Sequence, residues 1–304
     1  MAIRTFYPAR ARLHNGQMVF EEGDLASALR QGCFALRIPD DIQLWPGLKL
    51  AREFYLPVYE GNPDEQSFRG FRERSGVFFD REHFQTEHIL IDGPRRLLEF
   101  PVTANRLCDQ MFVLGRLLLR TILAHASIPQ DLWPRATDFC ATDGGVEWFA
   151  VSHYRPDRDM PGAPAHKDTG FITVLYYDQP GLEAYIDREW QSIPPVNGHF
   201  LINFGGALEV LTARCPDPVM AVLHRVRQCD PDPSGDRFSF AAFLNPAADG
   251  DVFQASSDGR EIHSLGSVET FLRRFNASTW KDDHADFGIS RGTADHRSKA
   301  EAQP

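Results

Sequence analysis

The chain has 304 residues, 42% of them hydrophobic and 24% charged, with a net charge of −10 at pH 7. Because its lysines and arginines are scattered along the sequence, the composition argues against a nucleic-acid partner. No apolar run approaches the roughly 18 residues of a membrane span, and the first residues lack the apolar stretch of a secretory signal, which predicts a cytoplasmic protein without a membrane partner.

The amino-terminal half has the pattern of helices with short strands between them. From Gly23 to Pro39 it predicts a short helix that stops at Gly32, followed by an apolar strand. A second helix is predicted between Leu44 and Val58, whereas residues from Ser67 to Pro94 have no clean period and are expected to form loops and short strands. The clearest helix lies between Pro101 and Pro129. Its core-facing stripe consists of Leu107, Met111, Leu114, Leu118 and Ile122.

The carboxyl-terminal half changes to short segments separated by Gly, Pro and Asp. Six strand candidates are "VEWFAVSHY", "GFITVLYY", "LEAYIDREWQSI", "GHFLINF", "VLHRVRQ" and "RFSFAAFLNP". Strands at this spacing after a helical half predict an α+β protein with a mainly β core, a sandwich or jelly roll with helices outside it. No linker is evident, so a single domain is expected: a helical flank with short strands over 1–135, a jelly-roll core over 136–250, and a carboxyl-terminal segment over 251–304 whose polar tail, 291–304, is expected to be mobile.

A candidate metal site follows from three residues of the predicted core. His166 and Asp168 stand two apart, so on one strand both side chains would point to the same face, and His224 follows further along the chain. Two imidazoles and one carboxylate that leave coordination positions open form the facial triad of non-haem Fe(II) chemistry, although Zn, Co or Mn could occupy the same donors. A cysteine zinc cluster is not expected, because the five cysteines are widely spaced without a Cys-x-x-Cys pair.

A candidate carboxylate receptor lies close by in sequence. Arg237 and Ser239 are two apart on one predicted strand and should share a face. A guanidinium can meet both oxygens of a carboxylate, and a buried arginine without such a partner would be costly. The two residues therefore predict an anion-binding position beside the metal.

These residues resemble motifs of the iron- and 2-oxoglutarate-dependent oxygenases of the isopenicillin N synthase-like type. The resemblance rests on "HKDTGFIT", on "HRV" and on "RFSFAAFLNP", and it spans roughly 147–246. It implies a double-stranded β-helix, which is a distorted jelly roll flanked by amino-terminal helices. It also implies that His166, Asp168 and His224 bind iron. In the same way it implies that Arg237, Ser239 and Tyr154 contact 2-oxoglutarate.

The resemblance has departures and consequences. Ser152 replaces an asparagine often present in the family, while the presence of Asp168 argues against a halogenase. The implied activity couples oxidative decarboxylation of 2-oxoglutarate by dioxygen to oxidation of a C–H bond, as hydroxylation, desaturation or cyclisation. The implied substrate is a small molecule, such as an amino-acid-derived compound or a secondary metabolite.

Substrate contacts are expected from loops and from strands that face the iron. The candidates are Arg69, Arg72, Arg74, Phe79, Tyr176 and Phe253. The three arginines would suit a substrate that carries a carboxylate. Packing or solvent exposure is the competing interpretation for each of the six.

Other functions fit the same residues. An Fe(II) oxidase that needs no 2-oxoglutarate, like isopenicillin N synthase, would use Arg237 and Ser239 to hold the substrate's own carboxylate. A metal-binding sensor without turnover would have no use for both the metal triad and the anion receptor. A zinc hydrolase is disfavoured, since no nearby glutamate stands out as a general base.

Overall fold

The structure is a computed structural model that describes residues 3–58, 67–233 and 235–279. The predicted mobile tail, 291–304, lies outside the described residues. The α-helices are α1 (Leu25–Gln31), α2 (Trp45–Glu53), α3 (Gly93–Glu99), α4 (Val102–His125), α5 (Trp133–Ala136), α6 (Gly206–Thr212) and α7 (Val268–Thr279). The strands of the amino-terminal part are β1 (Arg4–Thr5), β2 (Arg10–His14), β3 (Gln17–Glu22), β4 (Cys33–Arg37), β5 (Phe78–Asp80) and β6 (Thr86–Asp92). The remaining strands are β7 (Val146–Tyr154), β8 (Ala163–His166), β9 (Ile172–Tyr177), β10 (Leu182–Ile186), β11 (Glu189–Ser192), β12 (His199–Phe204), β13 (His224–Val226), β14 (Arg237–Asn245), β15 (Asp251–Ala255) and β16 (Ile262–Ser267).

Strands β7 to β14 form a jelly roll. Four of them belong to a nine-stranded major sheet, in the order β3-β2-β4-β12-β9-β14-β7-β6-β5, and the other four belong to a five-stranded minor sheet, in the order β1-β11-β10-β13-β8. The eight strands pair antiparallel within each sheet. The predicted fold class is confirmed, and the eight strands fall inside the predicted core of 136–250. A separate hairpin of β15 and β16 follows.

The amino-terminal flank contributes more strand than the sequence predicted. Strands β2, β3 and β4 extend the major sheet at one edge, and β5 and β6 extend it at the other. A four-stranded half of a jelly roll leaves unpaired backbone groups at both edges, and these extra strands satisfy them. The predicted helices are confirmed: α1 ends at Gly32, whose φ is 83°, α2 lies between Leu44 and Val58, and α4 lies between Pro101 and Pro129.

The two faces of the major sheet are buried against different partners. One face, called here the helix side, carries Phe149 and Phe240 and packs on Leu107 and Met111 of α4. The opposite face, called here the inner face, carries Tyr154 and Tyr177 and packs on Leu182 and Ala184 of the minor sheet. Since successive residues of a strand point to opposite faces, each residue of β7, β9 and β14 belongs to one of these two environments.

The segment "LEAYIDREWQSI" forms two strands, although it was predicted as one. Strands β10 and β11 pair as a hairpin in which Ile186 lies opposite Glu189. The two residues between them, Asp187 and Arg188, have φ values of 52° and 69°. This left-handed pair is the backbone of a tight hairpin turn, and it was missed because the usual Asn-Gly or Asp-Gly signal is absent. In the described part of the chain, none of the helices is long and apolar enough to cross a membrane.

The loop after β8 packs against the start of α6 through its backbone. Gly206 N donates to Asp168 O at 2.8 Å, and Ala207 N donates to Gly170 O at 3.0 Å. A methyl group on Gly205 would overlap the carbonyl oxygen of Gly170, so the close approach of the two segments requires glycine there. The position of Asp168 is thereby set by backbone contacts rather than by a strand.

We expect Gly205→Ala to lower the free energy of unfolding by about 1–3 kcal/mol, because the added methyl forces the loop and helix apart. Thermal unfolding followed by circular dichroism measures this change. Gly93→Ala is the matched control, since a methyl there meets only ordinary contacts with Glu147. Equal melting temperatures for the two variants would contradict the expectation.

Candidate metal centre and carboxylate pocket

The two predicted histidine ligands lie directly opposite each other in the minor sheet. His166 is the last residue of β8, His224 is the first of β13, and the two are paired in the register. Their ring centroids are 4.3 Å apart. Asp168 lies two residues beyond the end of β8, in the loop held by α6, so the expectation that it shares a strand with His166 is wrong. It reaches the same point because the loop turns back toward Thr173.

The three side chains converge on one point. Asp168 Oδ1 is 3.7 Å from His166 Nε2 and 3.9 Å from His224 Nε2. One ligand atom from each residue lies within 4.8 Å of the others, and this is the only such group of three His, Cys, Asp or Glu residues in the described ranges. Asp168 and His224 are each 8% exposed, whereas the His166 side chain is 21% exposed and marks the open side.

Hydrogen bonds orient each ligand atom. His166 Nδ1 lies 3.0 Å from Pro164 O, and His224 Nδ1 lies 3.1 Å from Val222 O. Both Nδ1 atoms therefore donate to backbone carbonyls, which leaves the Nε2 lone pairs directed at the common point. Asp168 Oδ2 accepts from Thr173 Oγ1 at 2.6 Å, so Oδ1 is left for a metal ion.

The charge state of the cluster suits metal binding. Burial and the neighbouring His224 lower the pKa of His166 to about 4, although Asp168 opposes the shift. The His166 ring is therefore neutral near pH 7, as a metal ligand must be. Two imidazoles and one carboxylate are a donor set of intermediate softness that fits Fe(II).

Arg237 and Ser239 lie on the inner face of β14, as predicted. Arg237 is 3% exposed, its Nε donates to Pro180 O at 3.2 Å, and its Nη1 is buried without a partner in the described residues. The guanidinium lies over the ring of Tyr154 at 4.4 Å, and Tyr154 Oη is 3.5 Å from Ser239 Oγ. A buried cation with an unpartnered N–H group is costly, and the carboxylate of a ligand would offset this cost.

A charged network lies behind this pocket, on the helix side of the same strands. His153 Nδ1 is 2.8 Å from Glu87 Oε1, and its Nε2 is 2.8 Å from Asp236 Oδ2. Each ring nitrogen therefore lies within hydrogen-bond distance of a carboxylate oxygen. Burial raises the pKa of Glu87, but bonds from His153 and Arg72 outweigh burial and leave the pKa below its usual range. The network joins β6, β7 and the start of β14 directly behind Tyr154 and Arg237.

Helix α6 connects the segments that carry the ligands. Besides its backbone contacts with the Asp168 loop, its residue Glu209 binds Lys167 Nζ at 2.8 Å. The same carboxylate accepts from Ala221 N at 2.7 Å, in the segment that leads to His224. One glutamate therefore ties the residue between His166 and Asp168 to the approach of the third ligand.

The three arginines predicted to receive a substrate carboxylate already have acidic partners. Arg69 Nε contacts Glu53 at 3.2 Å. Arg72 makes two bonds to Glu87, at 2.9 and 2.6 Å, and Arg74 binds Glu99 at 2.6 Å. These bonds stabilise the fold, and they correct the expectation of a three-arginine receptor.

The aromatic candidates lie in different places. Phe79 lies on the inner face at the outermost strand, next to His88. Tyr176 lies on the helix side and stacks on Phe240 with centroids 4.9 Å apart, so it is turned away from the metal centre. Phe253 belongs to the separate hairpin and lies against Arg135. The predictions for Tyr176 and Phe253 are corrected accordingly.

Sequence reasoning missed Thr173, Glu87 and Asp236. Thr173 belongs to the quoted motif "HKDTGFIT", but nothing in its spacing says that its hydroxyl reaches back to Asp168. Glu87 immediately follows Thr86, and Asp236 immediately precedes Arg237. Once the strands were placed, the alternation of side chains along them was the signal that could have indicated both residues.

A jelly roll whose minor sheet supplies two histidines, and whose following loop supplies one aspartate, around an open position defines a mononuclear metal centre of the facial-triad class. A sequence model of the 2OG-Fe(II) oxygenase superfamily matches residues 146–246. The matched residues contain the three metal ligands and Arg237, and the match agrees with the predicted resemblance to oxygenases of the isopenicillin N synthase-like type.

Curated relatives match part of the chain. The 1-aminocyclopropane-1-carboxylate oxidase 2 of Doritaenopsis sp. is 38% identical over 126 residues, which cover 38% of this chain and 36% of that protein. The 1-aminocyclopropane-1-carboxylate oxidase 3 of Arabidopsis thaliana is 27% identical over 180 residues, 58% of this chain and 54% of that protein. The matched region thus spans between 36% and 54% of the length of these relatives.

Solved structures share the fold over a longer range. JOX2, crystallised in complex with 2OG, Fe and JA, superposes with a TM-score of 0.66 and 15% identity over 90% of this chain and 86% of that one. The rice dioxygenase for auxin oxidation superposes with a TM-score of 0.60 and 21% identity over 83% of this chain and 87% of that one. At these identities the likeness establishes the architecture.

We expect Thr173→Val to weaken metal binding by roughly 10- to 100-fold, because Asp168 loses the bond that orients it. Anaerobic titration with Fe(II), or with Co(II) as a coloured probe, measures the affinity. Thr142→Val is the control, since the Thr142 hydroxyl donates to Phe139 O, away from the ligands. Unchanged affinity in the Thr173 variant would show that the bond does not orient Asp168.

Proposed function

We propose that the chain is an Fe(II)- and 2-oxoglutarate-dependent dioxygenase that oxidises a C–H bond of a small organic molecule. The observation that carries the proposal is the pair of sites between the two sheets: the three converging ligands of the minor sheet and its loop, and the buried Arg237 of the major sheet, whose Nη1 has no partner among the described residues. The match of residues 146–246 to the oxygenase family model supports the same function. The sequence supports a cytoplasmic enzyme whose partner is a small molecule.

In this proposal His166, Asp168 and His224 hold Fe(II), with Thr173 fixing the carboxylate. Arg237 binds the distal carboxylate of 2-oxoglutarate, and Ser239 and Tyr154 supply hydroxyl groups beside it. When bound together, Fe(II) and 2-oxoglutarate reduce dioxygen and yield succinate and carbon dioxide as the substrate C–H bond is oxidised. The chain's own part is to orient the two carboxylates and to keep water out of the pocket.

The burial of the anchor explains why the cosubstrate should bind in one orientation. Arg237 is enclosed by the rings of Tyr154 and Tyr177, at 4.4 and 5.6 Å, and by the carbonyl of Pro180. A carboxylate that reaches Nη1 leaves water behind and gains a charge-assisted bond in a low-dielectric site. The other end of the molecule then extends along the inner face toward the metal ligands.

We expect Arg237→Ala to raise the dissociation constant of 2-oxoglutarate by about 30-fold or more, since removal of one partner of a buried charge pair costs at least about 2 kcal/mol. Anaerobic visible spectroscopy of Fe(II)-loaded protein measures this through the weak charge-transfer band that forms when 2-oxoglutarate chelates iron. Arg273→Ala, in an exposed pair with Glu269, is the control.

The same titration separates the competing functions. A band in the wild type that weakens in the Arg237 variant supports the proposal. Iron binding without a band, combined with dioxygen consumption in the absence of 2-oxoglutarate, would favour an oxidase that takes all electrons from its substrate. Iron binding without a band and without dioxygen consumption would favour a non-catalytic metal sensor.

A further inference from the structure

Part of the inner face beside the metal centre is open. Along β7, Trp148, Ala150 and Ser152 are partly exposed, while Phe149 and Val151 between them are buried. The minor sheet therefore does not cover the inner face of this strand completely. Thr173, the residue that fixes Asp168, lies on β9, and β7 lies two strands away from β9. This opening therefore begins about 10 Å from Thr173.

The register gives this opening a shape. Phe243 lies between Thr173 and Trp148, and the next row along the strands places Ala241 beside Ala150. The following row contains Ser239, Ser152 and His88. The two small alanines, with Leu175 and Leu90 at the ends of their row, thus form a hollow between an aromatic ridge of Phe243 and Trp148 and a polar ridge of Ser152 and His88. We call the hollow with its two ridges the alanine trough.

His88 presents a fixed hydrogen-bond donor at the polar ridge. Arg81 Nη2 lies 3.2 Å from His88 Nε2, and because a guanidinium can only donate, Nε2 must accept. Nδ1 therefore carries the proton, and it has no hydrogen-bond partner in the part of the chain that the structure describes. Burial and the charge of Arg81 hold the pKa of His88 well below its usual range, so the ring stays neutral and the donor stays in place.

We propose that the alanine trough binds the organic substrate, and that it selects a flat, largely apolar molecule whose carbonyl or carboxylate oxygen accepts a hydrogen bond from His88 Nδ1. This inference rests on the proposed function, since the trough adjoins the metal centre where the substrate would be oxidised. The aromatic ridge provides surfaces on which a ring can stack. His88 is the specificity-determining residue of the site.

The charges around the trough give the substrate a direction. Asp92 continues the aromatic row beyond Trp148, where its carboxylate accepts from Arg95 N at the start of α3. The guanidinium of Arg81 lies at the opposite end, beside His88. An acceptor oxygen is therefore favoured at the His88 end and repelled near Asp92. The two ends are four residues apart on β6, roughly 13 Å, so a small amino acid such as alanine could not engage both.

Equilibrium binding of defined probes tests the proposal. The probes are 2-naphthylacetate, its neutral amide and alanine, titrated by calorimetry into anaerobic protein loaded with Fe(II) and 2-oxoglutarate, and again into metal-free protein. We expect the two aromatic probes to bind and alanine not to bind. Failure of both aromatic probes to bind, or binding of alanine as tight as theirs, would overturn the proposal.

Two variants locate the probes. Ala150→Phe fills the hollow and should weaken both aromatic probes at least tenfold, whereas Ala124→Phe, on the exposed side of α4, should not. His88→Leu removes the donor and should weaken them about tenfold, with the exposed His263→Leu as its control. A larger loss for the carboxylate than for the amide would identify the natural acceptor as an anion, and an equal loss would identify it as a carbonyl. Unchanged affinity in Ala150→Phe would overturn the proposal even if His88→Leu did not fold.

The charge-transfer band of each sample keeps the two proposals apart. A variant that retains the band with 2-oxoglutarate but loses the aromatic probes supports the alanine trough. Absence of the band in the wild type would contradict the proposed function. The titrations of metal-free protein would then show independently whether the alanine trough binds the aromatic probes.

Discussion

The alternation of side chains on strands that are buried on both faces is the constraint on which the rest of the structure depends. On β7, His153 points to the helix side and Tyr154 points inward. At the start of β14, Asp236 likewise points to the helix side and Arg237 points inward. Each residue of the pocket thus has a neighbour along the strand whose side chain packs on the opposite side of the sheet. A shift of one residue in register would place charged groups in an apolar core and apolar groups in the site.

This constraint explains how a cation as buried as Arg237 is held in place. Its strand is fixed from behind by the His153 network, in which the imidazole ring contacts the carboxylates of Glu87 and Asp236, and Arg72 also binds Glu87. Tyr55 stacks on the same ring at 4.0 Å and links the network to the end of α2. The helical flank therefore contributes to the site through packing, although none of its helices supplies a proposed metal ligand.

Much of the fold and of the site could be predicted from the sequence, because their signals are local. Short strand-like segments separated by Gly, Pro and Asp indicated the jelly-roll core. The two-residue spacings of His166 and Asp168 and of Arg237 and Ser239, together with the motifs around them, indicated the groups of the site. The position of Asp168 outside a strand could not be predicted, since it depends on backbone bonds to α6. Nor could the partners of the three arginines, because Glu53, Glu87 and Glu99 become neighbours only when the flank folds onto the sheet.

The carboxyl-terminal helix has a consequence for the handling of the protein. Phe275 of α7 covers Gly206 at the start of α6 so closely that a methyl group there would overlap its ring. Helix α6 in turn carries the bonds to the Asp168 loop and to the segment before His224. A shortened version of the chain that ends before α7 would expose α6 to solvent. We expect such a chain to bind iron more weakly while it keeps its overall fold.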